Sequence, residues 1–327
     1  MRPTLPPGLL SAEQQARIDL HYRNRPFSLF WEVRTLLYLG ILFLCSGLGI
    51  LIYKNIDTIG HQTILGLIAA ATIACFWYCS RRVKPFTSGL APADSSWAEY
   101  MLLLGVLLFG VFTGYLQAQY SVFGERYGLA LGLPAALYLF LAYRFDHRGV
   151  LQLAISGFCA AIGIAATPMA AIREGMFNGR TPVWTGLAVG ILLGMAALVS
   201  DRLDFKRHFT FSYLNFAMHL SLIAALSGLV IGLEWEKWFF FALIAAIAFG
   251  LWKYARRKHS PYFLLIAVLY LYAAFTYIVM TQLFRSGSSA GISAAFLYFI
   301  LSCAGTILFF LNLKSFLGNT DAGLPEK

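Results

Sequence analysis

Residues 262–283 read YFLLIAVLYLYAAFTYIVMTQL, an uncharged apolar run between Lys258 and Arg285. An α-helix rises about 1.5 Å per residue, so roughly 20 such residues cross the hydrocarbon core of a bilayer. Working outward from this run, the same pattern predicts spans at 35–53, 61–79, 98–118, 127–143, 149–168, 182–200, 210–232, 237–254 and 291–312. The expected fold class is therefore an all-α polytopic membrane protein of about ten transmembrane helices. Residues 1–34 form an N-terminal segment, 35–312 the helix bundle, and 313–327 a C-terminal tail. The fourth span is the weakest, being short and holding Gly128, Gly132 and Pro134.

Composition agrees. The 327-residue chain is 59% hydrophobic and 12% charged, where a soluble domain carries about a quarter charged residues. So few charges do not cover a soluble surface of this size. The first 34 residues lack an apolar core and carry Arg2, Arg17, Arg23, Arg25 and Arg34, which argues against a cleavable signal peptide.

The connections alternate in charge. One side holds the N-terminal segment, the Arg81–Lys84, Arg144–Arg148 and Arg202–His208 loops, the Lys253–Lys258 segment and the tail. It carries 19 of the 25 Lys and Arg residues and 10 of the 15 acids. The other side carries six basic residues and five acids. Positive loops resist translocation, so the basic side and both termini are expected in the cytoplasm. This partition accounts for the net charge of +10 without nucleic acid. Trp31, Trp77, Trp97, Trp184, Trp235, Trp238 and Trp252 all fall near predicted span ends, where amphipathic rings prefer to sit.

Before the first span, residues 9–20 read as a short amphipathic helix, with Ser11 as cap and Gln14 completing a capping box. It is expected to rest on cytoplasmic headgroups, or alternatively to dock a protein partner. The opening Leu10-Ser11-x-Glu13-Gln14-x-x-x-Ile18 resembles a family of bacterial predicted membrane proteins known as domain of unknown function 2157. Similar to that family also are Trp97-Ala98-Glu99-Tyr100 with Gly105 and Gly110, then Gly114 to Tyr120, then Leu133-Pro134 with Tyr143-Arg144-Phe145. The resemblance covers roughly residues 9–150. It implies a multi-pass protein of the bacterial inner membrane and carries no established activity.

Lipid tails give helices no hydrophobic reason to associate, so small-residue contacts and polar pairs must do so. Gly186, Gly190 and Gly194 make a stripe on the sixth span, and Ala242, Ala246 and Gly250 one on the eighth. Both are expected to pack helices within the chain, with a homodimer through one of them as the alternative.

Ionisable residues are nearly absent from the spans, which argues against the common ion-coupled mechanisms. Asn215 and His219, one turn apart on the seventh span, are candidates for a polar cavity. So are Tyr270, Tyr277 and Thr281 on the ninth span, and Gln117 at the end of the third. For each, a hydrogen bond to a neighbouring helix is the structural alternative. Cys45, Cys75, Cys79, Cys159 and Cys303 all lie in apolar runs, without the spacing of a zinc site or disulfide framework. No hydrolase, zinc-protease, Walker or dinucleotide motif occurs. The expectation is thus a non-enzymatic scaffold or sensor-like membrane component without catalytic residues, cofactor or metal. Its partner is the lipid bilayer, with a small-molecule ligand a further expectation. The alternative is a carrier of a small uncharged or amphipathic solute, its spans divided five plus five at the Gly175–Arg180 loop. In span count that layout resembles the drug/metabolite transporter superfamily.

Overall fold

The computed structural model describes residues 30–54, 60–82, 85–90, 95–166, 180–258, 260–285 and 289–312. The expected N-terminal helix over residues 9–20, Pro168, residues 175–179 and the tail from residue 313 lie outside them. Among the described residues the regular structure is wholly helical. The elements are α1 (Phe30–Lys54), α2 (His61–Ser80), α3 (Ser96–Tyr120), α4 (Tyr127–Phe145), α5 (Arg148–Ala166), α6 (Arg180–Arg202), α7 (Thr210–Ile231), α8 (Glu234–Lys258), α9 (Pro261–Arg285) and α10 (Ser289–Leu311). A 3-10 turn, Arg207–Phe209, leads into α7. Nine of these segments are long and apolar enough to cross a membrane, and α1 adds a shorter apolar stretch, Thr35–Leu51.

Local chemistry sets several ends. Pro261 opens α9, where a missing N–H costs nothing. Glu234 and Glu236 sit in the first turn of α8, with Arg256, Arg257 and Lys258 in its last, matching the helix dipole at both ends. Asp146 ends α4 in the left-handed conformation, φ 57°, which Asp tolerates better than most residues. Pro134 lies buried inside α4 without ending it.

Two compact units divide the chain at α3. The first holds α1, α2 and the N-terminal part of α3. Its α2 buries Ile64, Ile68, Thr72, Cys75 and Cys79, a stripe at helical spacing. Tyr38 meets Tyr100 edge-on at 5.4 Å, and a Cβ at Gly105 would press on Phe76 at 2.9 Å. The second unit holds the end of α3, the segment 83–94 and α4 to α10. This division differs from the five-plus-five split at the Gly175–Arg180 loop.

In the second unit, α6 and α7 pack along the stripe read from sequence. A Cβ at Gly186 would lie 3.0 Å from that of Ala224, and one at Gly190 would run into Ser221 Oγ. Gly194 is looser, 3.9 Å from Ala217. The α8 stripe behaves differently: Ala242, Ala246 and Gly250 are all exposed. Instead α8 buries Phe240, Ile244, Ala248, Leu251 and Ala255 in the core that α7 and α9 share. The correction has a simple cause, since spacing defines a face but not which face meets a neighbour. Hydroxyl pairs join α9 to α10: Tyr272 to Ser302 at 3.1 Å and Thr276 to Tyr298 at 2.9 Å.

Gly190→Leu forces α6 off α7 and should cost about 1–3 kcal/mol, as overpacking does. Thermal unfolding in detergent checks this, with Gly250→Leu as the neutral comparison because a Cβ there meets nothing within 4 Å.

Candidate functional site

The second unit holds two groups of polar side chains drawn inside it. The first gathers where three connections of the basic side meet. Lys206, in the α6–α7 turn, has 2% of its side chain exposed, as does Asp146 at the end of α4. Its ammonium lies 3.3 Å from Asp146 Oδ1 and donates to the Gly89 carbonyl at 3.3 Å. It also stands 5.0 Å from the centre of the Phe86 ring, within cation–π reach. A carboxylate, a carbonyl and a ring face thus answer its three N–H donors. The backbone of Lys206 is held as well, its N–H donating to Ser88 at 2.8 Å, in a left-handed conformation with φ 50°. Such a conformation at a lysine persists where the surroundings over-determine it.

His208 approaches the same carboxylate, its Nε2 facing Asp146 Oδ1. Next to it, His147 caps α5 by accepting the Val150 N–H at Nδ1, 3.1 Å away. Ser200 Oγ folds the turn back by donating to the Phe205 carbonyl at 2.9 Å. Tyr143 stacks on Phe205 and meets Phe209 edge-on, while its hydroxyl pairs with that of Tyr213 at 2.9 Å. Together these contacts tie the α2–α3 segment, the end of α4, the α6–α7 turn and α7 into one cluster.

The second group lies between α7 and α9. Tyr262 donates its hydroxyl proton to Asn215 Oδ1, a short contact of 2.5 Å. With that proton committed, Tyr262 accepts from His219 Nε2 at 3.2 Å. His219 Nδ1 is then free to accept from the Tyr270 hydroxyl at 3.1 Å. The four side chains form a directed chain, Tyr270 to His219 to Tyr262 to Asn215, in which each donor has one acceptor.

Asn215 and His219, whose spacing puts them on one face of α7, are joined by Tyr270 from α9, and Tyr262 is the member that sequence reasoning missed. It stands at the start of α9, eight residues from Tyr270 and on the same side of the helix. Tyr277 and Thr281 are not part of this group. Tyr277 donates to the Val230 carbonyl at 3.2 Å, and Thr281 to Tyr277's own carbonyl at 2.7 Å. The crevice beside them measures about 20 Å³, room for a single water. Gln117 is buried and closes the α3–α4 turn, donating to the Gly124 carbonyl at 2.8 Å and accepting the Phe123 N–H at 2.9 Å.

Two larger grooves are mainly apolar. A groove of about 640 Å³ runs between α6, α7 and α8, floored by Gly190, Gly194 and Ser221 and bordered by Ile247, Gly250 and Tyr254. Another of about 630 Å³ lies between α4 and α5, with Glu125 and Arg126 at its end. Among the described residues no three His, Cys, Asp or Glu side chains group to hold a metal.

Nine membrane-length apolar helices among the described residues define a polytopic α-helical membrane protein. Residues 6–151 match the family model described as Predicted membrane protein (DUF2157), the family that the N-terminal motifs resemble. No curated protein and no solved structure matches the chain. The matched segment contains Asp146, whereas Lys206, His208 and the Asn215–Tyr270 chain lie beyond it.

Lys206→Met leaves the Asp146 carboxylate without its ammonium and should cost about 3–5 kcal/mol, the range for breaking a buried pair. Adding Asp146→Asn should recover part of that loss, and unfolding in mixed micelles reads both. Tyr262→Phe removes two bonds of the α7–α9 chain and should cost about 0.6–1.7 kcal/mol, the range for hydrogen bonds between membrane helices. The same assay measures it.

Proposed function

We propose that this protein is a non-enzymatic scaffold or sensor-like component of the bacterial cytoplasmic membrane, with both termini in the cytoplasm. The observation that carries the reading is the pairing inside the second unit. Lys206 pairs with Asp146, the side chains of Asn215, His219, Tyr262 and Tyr270 bond to one another, and the groove between α6, α7 and α8 is apolar. The alternative, a carrier of a small uncharged or amphipathic solute, needs side chains that line a path near the bilayer midplane. Here the ammonium of Lys206 and the imidazole of His219 are already engaged. Protein partners, including one for the N-terminal segment, belong to the same proposal, as does homodimer formation.

Orientation follows from charge. The 19 Lys and Arg residues assigned to one side include those flanking the Asp146–Lys206 cluster, and three of its connections converge there. On the opposite side, Arg180, Lys237 and Arg285 are drawn to Glu234 and Glu236 at 3.2–3.9 Å. Basic charge on that side is thus both scarce and locally neutralised.

Two measurements test the proposal. A reporter that is active only outside the cytoplasm, fused after residue 312, should stay inactive, and activity there overturns the orientation. A thermal-shift screen of water-soluble metabolites should give no saturable shift. A ligand at a hundred times its dissociation constant would contribute about 2.7 kcal/mol, so binding would be detected. A shift lost on Asn215→Ala would replace the scaffold reading with the carrier.

A further inference from the structure

The groove between α6, α7 and α8 is apolar and bordered by three helices, and its two ends differ. At one end lie Trp184 and Phe239, at the other Tyr254. Between Phe239 and Tyr254 helix α8 rises roughly 22 Å, at about 1.5 Å per residue. The space is therefore long and narrow, with a volume of about 640 Å³. Its lining is almost entirely hydrocarbon, and its long side is open. Such a shape suits an extended hydrocarbon chain better than a compact solute.

Charge distinguishes the Tyr254 end. On α8 it leads directly into Arg256, Arg257 and Lys258, and Arg257 stands one turn beyond Tyr254 on the groove side of the helix. Arg202 ends α6, and Arg207 opens the 3-10 turn that follows. Two acids are present there, Asp201 and Asp204, and both bond to Arg207. Lys253 and Arg256 lie over the rings of Phe249 and Trp252. Arg202 and Arg257 are exposed and form no ion pair among the described residues. The apolar channel therefore ends at a net positive rim, level with Trp252, the kind of residue that marks the membrane–water boundary.

We propose that this groove is a binding site for an anionic phospholipid, one acyl chain lying along Gly190, Gly194 and Gly250 and the phosphate held by Arg202 and Arg257. Each end supplies what the other lacks: Gly250, where a Cβ meets nothing within 4 Å, leaves the channel open, and the arginines supply the charge that selects the headgroup. The site rests on the membrane reading of the chain and is independent of its role as scaffold or carrier.

Native mass spectrometry of the full-length protein in detergent tests it, titrating phosphatidylglycerol and phosphatidylcholine of identical acyl chains. Phosphatidylglycerol should be retained several-fold more strongly. Gly250→Leu places a side chain in the open groove and should reduce that retention several-fold. Gly305→Leu, at an equally open position on α10, should leave it unchanged. Arg202→Gln with Arg257→Gln, both at exposed positions, should abolish the preference for phosphatidylglycerol while leaving the weaker binding common to both lipids. Equal retention of the two lipids overturns the proposal, as does full retention in Gly250→Leu. A dimer that is lost in Gly250→Leu would assign the groove to a second copy of the chain and overturn it too. None of these failures touches the membrane reading itself, which rests on helix length and apolarity.

Discussion

A lysine ammonium and an aspartate carboxylate, each with 2% of its side chain exposed, hold each other at 3.3 Å. Removing two such charges from water costs several kcal/mol per ion, and the pair recovers this only if every remaining donor and acceptor is answered. Much of the surrounding structure follows from that requirement. Gly89 and Phe86 come from the α2–α3 segment to complete the ammonium's shell. Ser200 fixes the turn that delivers Lys206, and His208 brings a second partner to the carboxylate. The Tyr143 and Phe209 rings seal the neighbouring space. A connection between spans is ordinarily the mobile part of a membrane bundle. Here three connections are bound to one another by a charge that none of them can release cheaply.

Between the helices the same accounting applies without formal charge. Lipid offers no hydrogen bonds, so an inward hydroxyl or imidazole must find its partner on a neighbouring helix. Tyr262, His219, Tyr270 and Asn215 do so as a directed chain across α7 and α9, and Thr276–Tyr298 and Tyr272–Ser302 do so across α9 and α10. Hydroxyls on one helix thus replace the hydrophobic drive that water would supply to a soluble bundle. Where no polar pair is available, close approach serves instead, as along Gly186 and Gly190 against α7.

The all-helical, multi-span character of the chain was legible in the sequence: about ten spans are expected from it, and nine helices among the described residues are long and apolar enough to cross a membrane. Length and apolarity act locally: a run such as 262–283 must form a helix in lipid whatever its neighbours are. Shared faces were legible too, because 3.6-residue spacing placed Asn215 beside His219 and lined up Gly186, Gly190 and Gly194. Partners were not. Ala242, Ala246 and Gly250 have the same spacing as the α6 stripe yet face outward, since spacing says nothing of which side meets another helix. Tyr277 and Thr281 share a stripe with Tyr270 but bond elsewhere for the same reason. Nor did any local signal distinguish Asp146 and Lys206 from the other charges of their loops. They are 60 positions apart in the chain, and their burial exists only once α4 and the α6–α7 turn have packed. The sequence by itself therefore determined the elements, through the energetics of each segment in lipid. Tertiary structure alone decided which polar groups answer one another, because desolvation and pairing belong to the assembled neighbourhood and to no residue separately.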